Sequence, residues 1–419
     1  MPCHAPVEWH YERAFMQIDK SSVSAKAKPA GGKQGVVTGI TPFRIAVGED
    51  VLEDLTGRLG RTRFTDQLPG SGWAYGTDTT YLAELCAYWR DSYDWRAQEE
   101  MLNRFDHFHA AIDGLKVHFI HQRSPEPSAK PLLLIHGWPG SFVEFHKVIG
   151  PLTDPVAHGG RAEDAFHVIA PSLPGFGFSD APREAGWTLG RMARQFVGLM
   201  ERLGYDSYFL QGGDCGAIIV PHMAHIAPEH VLGLHLNGVQ VPPPPDFDLE
   251  TASPEDRDLL SRTMERLKDE HGYSDQQRTR PQTLGAALND SPAGLAAWIV
   301  EKFYAWSDHD GDVEGTFTRD ELLTNIMIYW ITGSINSSIR CYYESYQESG
   351  TYGELDMRVE APTGISHYPA DPSLLPISWS ERLFNVVRRV EMPAGGHFAA
   401  MEQPALFVAD VREFFRMLR

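Results

Sequence analysis

Apolar residues recur along this chain with two periods, and the changes from one to the other divide it into segments. Val51, Leu52, Leu55 and Leu59 share one face of a helix expected over Glu49–Arg61, and Leu82, Leu85, Cys86 and Trp89 do the same over Thr79–Trp89. The run HAAIDGLKVHFIH alternates about Asp113-Gly114, a dipeptide that suits a tight type I′ turn. It predicts a hairpin with Leu115, Val117 and Phe119 on one side. From Pro131 the grammar changes: PLLLIHG, AFHVIAPSL, SYFLQGGD and VLGLHLNG read as short buried strands. Between them lie a Gly/Pro turn with a helical pattern, an amphipathic helix over Thr188–Leu203 with Leu189, Met192, Phe196, Leu199 and Leu203 inward, and the helix AIIVPHMAHI. Strands alternating with helices at this spacing predict an α/β fold with a mainly parallel sheet.

The run Val241-Pro242-Pro243-Pro244-Pro245 interrupts that order. The stretch after it has helix signals and few strand signals, including a start at Ser253-Pro254-Glu255 and a capping box at Thr318-Arg319-Asp320-Glu321. Sheet grammar resumes at PTGISHYP and RRVEMPAGGH, and a last helix over Pro404–Leu418 turns Leu406, Phe407, Val411, Phe414 and Phe415 to the core. The expected organisation is a flexible tail (1–41), a lead-in (42–114), the first half of an α/β core (115–240), a helical cap (241–355) and the second half of the core (356–419). Within the tail, Ser21–Gly35 is small, basic and unpatterned. No internal repeat is evident.

Composition narrows the function. A net charge of −19 argues against nucleic acid or an anionic membrane as the main partner. Cys3, Cys86, Cys215 and Cys341 form no C-x-x-C pair, which argues against a disulfide framework or structural zinc and fits a reducing compartment. No run approaches the length of a membrane-spanning helix, and MPCHAPVEWHYERAF lacks the features of a secretory signal. A cytoplasmic protein without a membrane anchor is expected, and a homodimer is left open.

The most informative segment is Gly212-Gly213-Asp214-Cys215-Gly216, between an apolar strand and a helix. A small-x-nucleophile-x-Gly turn at that junction is the nucleophile elbow of α/β hydrolases, here with Asp214 in place of Ser. A carboxylate nucleophile forms an ester with an alkyl carbon, which suits displacement at carbon better than acyl transfer. His136-Gly137-Trp138-Pro139-Gly140-Ser141 follows the first core strand, where backbone N–H groups of Trp138 and Cys215 can converge on Asp214 as an oxyanion hole. His136 reads as a buried organiser of that loop. Gly395-Gly396-His397-Phe398 supplies a late histidine, in the chain order expected of a water-activating base. Asp371, in HYPADP, is the best-placed acid to orient it, with Glu391 and Asp180 as competitors. Asp308–Asp312 reads as a solvated loop because its glycine and terminal acid do not suit calcium, and Gly175-x-Gly177 lacks the rest of a dinucleotide fingerprint. No cofactor and no metal are expected.

With these residues assembled, the chain resembles the microsomal-type epoxide hydrolase family from Pro42 to its C-terminus. The segments YDWRAQEEMLNRFDHF, HGWPGSFVEF, PSLPGFGFSD, QGGDCG, LNDSPAGLAAWIVEKF, PTGISHYP and GGHFAAMEQP carry the likeness in one order. The resemblance implies an α/β-hydrolase core, a cap inserted between its halves, an N-terminal meander, and hydrolysis of a small apolar epoxide to a diol through an aspartyl ester. It implies Asp214 as nucleophile, His397 as base and Asp371 as its partner, an acid often Glu in the family. It also implies two cap tyrosines on the epoxide oxygen. One matches Tyr342; the other is expected in AAWIVEKF, where this chain has Trp298. An indole N–H donates a bond but no proton, which is the main departure. Tyr304, six residues on and about 120° around a regular helix, is a poor substitute; Tyr343 and Tyr346 are the other candidates, and Trp138 joins Trp298 as a substrate-binding side chain. Two rival readings follow. A haloalkane dehalogenase would use the same nucleophile, but Cys215 stands where its halide-binding Trp is wanted; a catalytically weakened binder of apolar ligands is motivated by Trp298.

Overall fold

Runs such as PLLLI carry apolar side chains on both faces, and only a strand covered on each side by helices buries them all. The computed structural model describes residues 39–239, 241–349 and 357–419. Among these, nine strands form one sheet: β1 (Ile40–Phe43), β2 (His107–Ile112), β3 (Leu115–Gln122), β4 (Lys130–Ile135), β5 (Phe166–Pro171), β6 (Tyr208–Gly212), β7 (Val231–Asn237), β8 (Val359–His367) and β9 (Phe384–Glu391). Their order is β1-β2-β3-β5-β4-β6-β7-β8-β9. The pairs from β5 through β9 are parallel, whereas β1, β2, β3 and β5 pair antiparallel.

The hairpin expected at Asp113-Gly114 joins β2 to β3, with φ of 49° and 76° at its two central residues. The boundary drawn at 114/115 therefore falls inside a paired hairpin, and the lead-in adds strands to the core's own sheet. The tail expected over 1–41 lies outside the described residues except at its end, where Ile40 and Thr41 belong to β1.

Helices cover both faces. Thr188 caps the helix Leu189–Arg202 by accepting the Arg191 N–H, and Leu189, Met192, Phe196, Leu199 and Met200 are buried beneath it. The C-terminal helix Pro404–Arg416 buries Phe407, Val411, Phe414 and Phe415. Between β7 and β8 lie the helices Pro254–Leu267, Gly272–Thr279, Pro281–Leu288, Pro292–Trp306, Arg319–Thr332 and Ile335–Ser349, the expected cap. Ser253 and the capping box of Thr318 with Glu321 open two of them as expected. The lead-in clamps this cap to the sheet: the Thr77 hydroxyl donates to Ala297 O at 2.7 Å, the Tyr88 hydroxyl to Asp320 at 2.8 Å, and Trp73 stacks on Tyr304 at 4.0 Å.

Candidate active site

The β6 strand ends at Gly212, and the helix Cys215–Ile226 begins three residues later. Asp214 turns the chain between them with φ 51° and ψ −123°, a conformation that costs a non-glycine residue roughly 1–3 kcal/mol. Such strain persists only where the surroundings impose it. Here Gly216 supplies the room, since a Cβ on it would overlap the carbonyl oxygen of Ile135 on β4.

The turn carries the Asp214 side chain to the loop after β4. The Trp138 N–H donates to Oδ1 at 2.9 Å and the Cys215 N–H to the same oxygen at 2.7 Å. Oδ2 is left facing His397, whose Nε2 is 3.4 Å away. The other ring nitrogen, Nδ1, lies 3.5 Å from Asp371 Oδ2, an ion-pair distance of the kind that tightens when substrate binds. Ser373 fixes Asp371 through its N–H at 2.9 Å and its hydroxyl at 2.8 Å, both donating to Oδ1. Burial opposes the charge on all three groups, yet their mutual attraction prevails. Asp214 and Asp371 are held below the ordinary carboxylate range, and His397 well above the ordinary imidazole range. Glu391 and Asp180 stand elsewhere: Glu391 pairs with His367, and Asp180 accepts the Lys116 N–H.

His397 is tied to the cap. The His397 N–H donates to Trp306 O at 2.8 Å, and the Trp306 ring lies 5.0 Å from the imidazole. Glu402 accepts the N–H groups of Phe398 and Asp308, both at 2.8 Å, joining the histidine loop to the end of the helix Pro292–Trp306. Asp308 is thus part of a structural tie, as Asp308 Oδ2 also accepts the Gly395 N–H. His136 is buried as expected: Nε2 accepts the Leu173 N–H, so Nδ1 carries the proton and donates to Gly137 O at 3.0 Å.

Tyr342 is buried on the helix Ile335–Ser349 and meets the Trp138 ring edge-on at 6.0 Å. Trp298 does not join it. Its indole N–H donates to Gln277 Oε1 at 3.1 Å, and its ring lines a separate groove between cap and lead-in. Trp298, expected to bind substrate, is thus engaged with Gln277 within the cap. Tyr304 stacks on Trp73, Tyr346 lies under Arg278, and Tyr343 is 37% exposed. The residue that does stand beside Tyr342 is Tyr273, from the short helix Gly272–Thr279. Its ring stacks on Trp138 at 5.3 Å and an interplanar angle of 8°, and meets the Tyr342 ring edge-on at 6.0 Å. Burial keeps both phenols un-ionised. Sequence reasoning missed Tyr273 because GYSDQQRT has no apolar stripe; a lone aromatic in a polar helix was the available signal.

The sheet order and the elbow after β6 define the class: this is an α/β hydrolase. Residues 130–327 match the alpha/beta hydrolase fold model, and residues 40–145 match that of the epoxide hydrolase N terminus. The chain is 41% identical to epoxide hydrolase 1 of Sus scrofa, over 90% of this chain and 89% of that one. The crystal structure of juvenile hormone epoxide hydrolase from the silkworm Bombyx mori superposes with a TM-score of 0.82 at 33% identity, covering 91% of this chain and 95% of that chain. That of the Aspergillus niger epoxide hydrolase gives 0.80 at 30%, covering 90% and 96%. The chain belongs to the epoxide hydrolase family. Among the described residues no helix is long and apolar enough to cross a membrane.

Proposed function

We propose that Asp214 Oδ2 attacks a carbon of a small apolar epoxide to give an alkyl ester, and that His397 with Asp371 then drives its hydrolysis to a vicinal diol. The observation that carries this reading is the division of labour at the carboxylate: two backbone N–H groups take Oδ1, and Oδ2 alone faces His397. When water adds to the ester, Oδ1 becomes the oxyanion, already seated on its donors. Tyr342 and Tyr273 donate to the epoxide oxygen as the ring opens, each able to give both a bond and a proton. Tyr273 beside Tyr342 also removes the motive for a weakened ligand binder, which rested on Trp298 in place of a tyrosine. The rings of Trp138, Tyr273 and Tyr342 form the apolar wall for the substrate.

The charges support the sequence of steps. Resting His397 is held protonated by two carboxylates against the penalty of burial. Esterification neutralises Asp214, so one of those supports disappears while the burial penalty remains, and the imidazole's proton replaces the one that the phenol gave to the opened epoxide oxygen. The event that makes the ester thereby prepares the base that hydrolyses it. The scattered cysteines support a cytoplasmic location.

Turnover of styrene oxide to phenylethanediol tests the reading. Asp214→Ala is expected to lower it by roughly 10⁴-fold or more, the scale of losing a nucleophile. In the same variant the His397 pKa, followed by NMR, falls. Diol formation at the wild-type rate by this variant would overturn the assignment.

A further inference from the structure

Beside Asp214 and His397 the structure leaves a small chamber whose polar lining is Glu144, Gln211, Asp214, Asn237 and His397. It offers about 20 Å³ to the centre of a water molecule. One water needs roughly 10–15 Å³ by that measure, so the chamber accepts a water and excludes an epoxide. Its lining is polar enough to hold one. Gln211 donates to Asn237 Oδ1 at 2.8 Å, while Gln211 Oε1 is a buried acceptor with no partner among the described residues.

Glu144 is the ionisable group of this chamber that the reaction described above does not use. It lies in the single helical turn Phe142–Phe145 after β4, opened by Ser141, whose hydroxyl is pinned to Asn325 at 2.8 Å. Gly140 makes room for it, since a Cβ there would overlap Glu144 Oε1. Burial pushes this carboxyl up to about 8, and the Asp214 charge adds to the rise against the opposing pull of His397 and the Gly137 N–H. At neutral pH Glu144 therefore adds no second negative charge beside the nucleophile.

We infer that this chamber seats the hydrolytic water and that Glu144 positions it for attack on the ester. The inference rests on the aspartyl-ester reading proposed above. A water attacking Asp214 Cγ gives one proton to His397 Nε2 and aims a lone pair at the carbon, and its second O–H needs an acceptor. The Glu144 carbonyl oxygen is that acceptor. As the new C–O bond forms, the ester's π electrons move to Oδ1, on the Trp138 and Cys215 N–H groups. Collapse then breaks the bond from Cγ to the alkoxy oxygen, which takes the proton from His397 and leaves as diol.

Rapid-quench single turnovers of styrene oxide by wild type, Glu144→Gln and Glu144→Leu test this, reading ester on the Asp214 peptide by mass. Glu144→Leu is expected to form ester at the wild-type rate and hydrolyse it roughly 10- to 100-fold more slowly, the cost of a misplaced reactant. Glu144→Gln, which keeps a carbonyl acceptor, should fall between them, and it decides the matter alone should the leucine variant not fold. A merely structural role would slow both steps together; that result, or unchanged hydrolysis, would overturn the inference. Wild type that never carries ester on Asp214 would instead sink the reading beneath it, and this inference with it.

Discussion

In the proposed reaction two phenols and a tryptophan decide how the cap meets an epoxide. Tyr342 and Tyr273 stand side by side against Trp138, and in the proposed reaction losing either leaves the epoxide oxygen one donor short. Tyr273→Phe is expected to lower kcat/KM for styrene oxide by roughly 100-fold, the scale of one lost transition-state donor. Trp298→Phe should leave it at the wild-type level, and steady-state kinetics of the two variants separates these outcomes. The residues that the structure gathers around Asp214 were legible where their geometry is local. An elbow needs small neighbours at fixed offsets, so Gly212, Gly213 and Gly216 mark Asp214, and Gly395-Gly396 marks His397. Tyr273 reaches the same place through the packing of a polar eight-residue helix against Trp138, which leaves no such local mark. Glu144 differs again: a lone carboxylate among the apolar residues of SFVEF stood in plain view, but only the chamber beside Asp214 gives it a task.

At the scale of elements, the loop after β4 is held by a histidine that has to stay neutral. His136 accepts the Leu173 N–H through Nε2, and a proton there would break that bond. Burial pushes His136 down to about 4; His121 on β3 is pushed to about 4 by burial and by the charge of Arg123. His118, also on β3, is held lower than its ordinary range by burial among His107, His109 and His136. An unfolded histidine titrates near 6.5, so between about 6.5 and 4 the unfolded chain binds more protons than the folded one. Stability is therefore intact above that window and falls as pH drops through it. Thermal unfolding should show Tm declining below about pH 6.5, beyond what His136→Asn shows on its own account. A Tm flat from pH 7 to 4 would contradict this account of the histidines. Most elements were readable from period and capping alone. The exceptions are instructive: β1 is a four-residue edge strand containing Pro42, too short to alternate. The helix Trp95–Leu102, capped by Asp94 on the Ala97 N–H, was not picked out because only Trp95 and Leu102 of its eight residues are buried.

The whole molecule interrupts its sheet with a cap of some hundred residues, and the two halves have to be rejoined. A buried cluster does so at the far side of β7, β8 and β9. Asp410 of the C-terminal helix takes His235 Nε2 at 2.8 Å on β7, the Ser366 hydroxyl on β8 and the Arg388 guanidinium on β9. Burial would raise this carboxyl, but these three partners hold it far below the ordinary range. Removing one member of a buried ion pair leaves the other charge uncompensated, at a cost of about 3–5 kcal/mol. Asp410→Ala is expected to destabilise the protein by that amount in denaturant titrations, with Asp214 and His397 still paired in whatever remains folded. No spacing rule foreshadows this cluster: its members lie on four elements, one before the cap and three after it, and the β7-β8-β9 pairing brings them together.

The central claim is that a covalent ester on Asp214 lies between epoxide and diol. One enzyme turnover of styrene oxide in ¹⁸O-labelled water tests it most directly, with mass analysis of the diol and of the Asp214 peptide. The account predicts unlabelled diol in that first turnover, since its new oxygen comes from the carboxylate, and label appearing in the peptide as water replaces that oxygen. Labelled diol with an unlabelled Asp214 peptide would mean that water attacks the epoxide directly, and would contradict it.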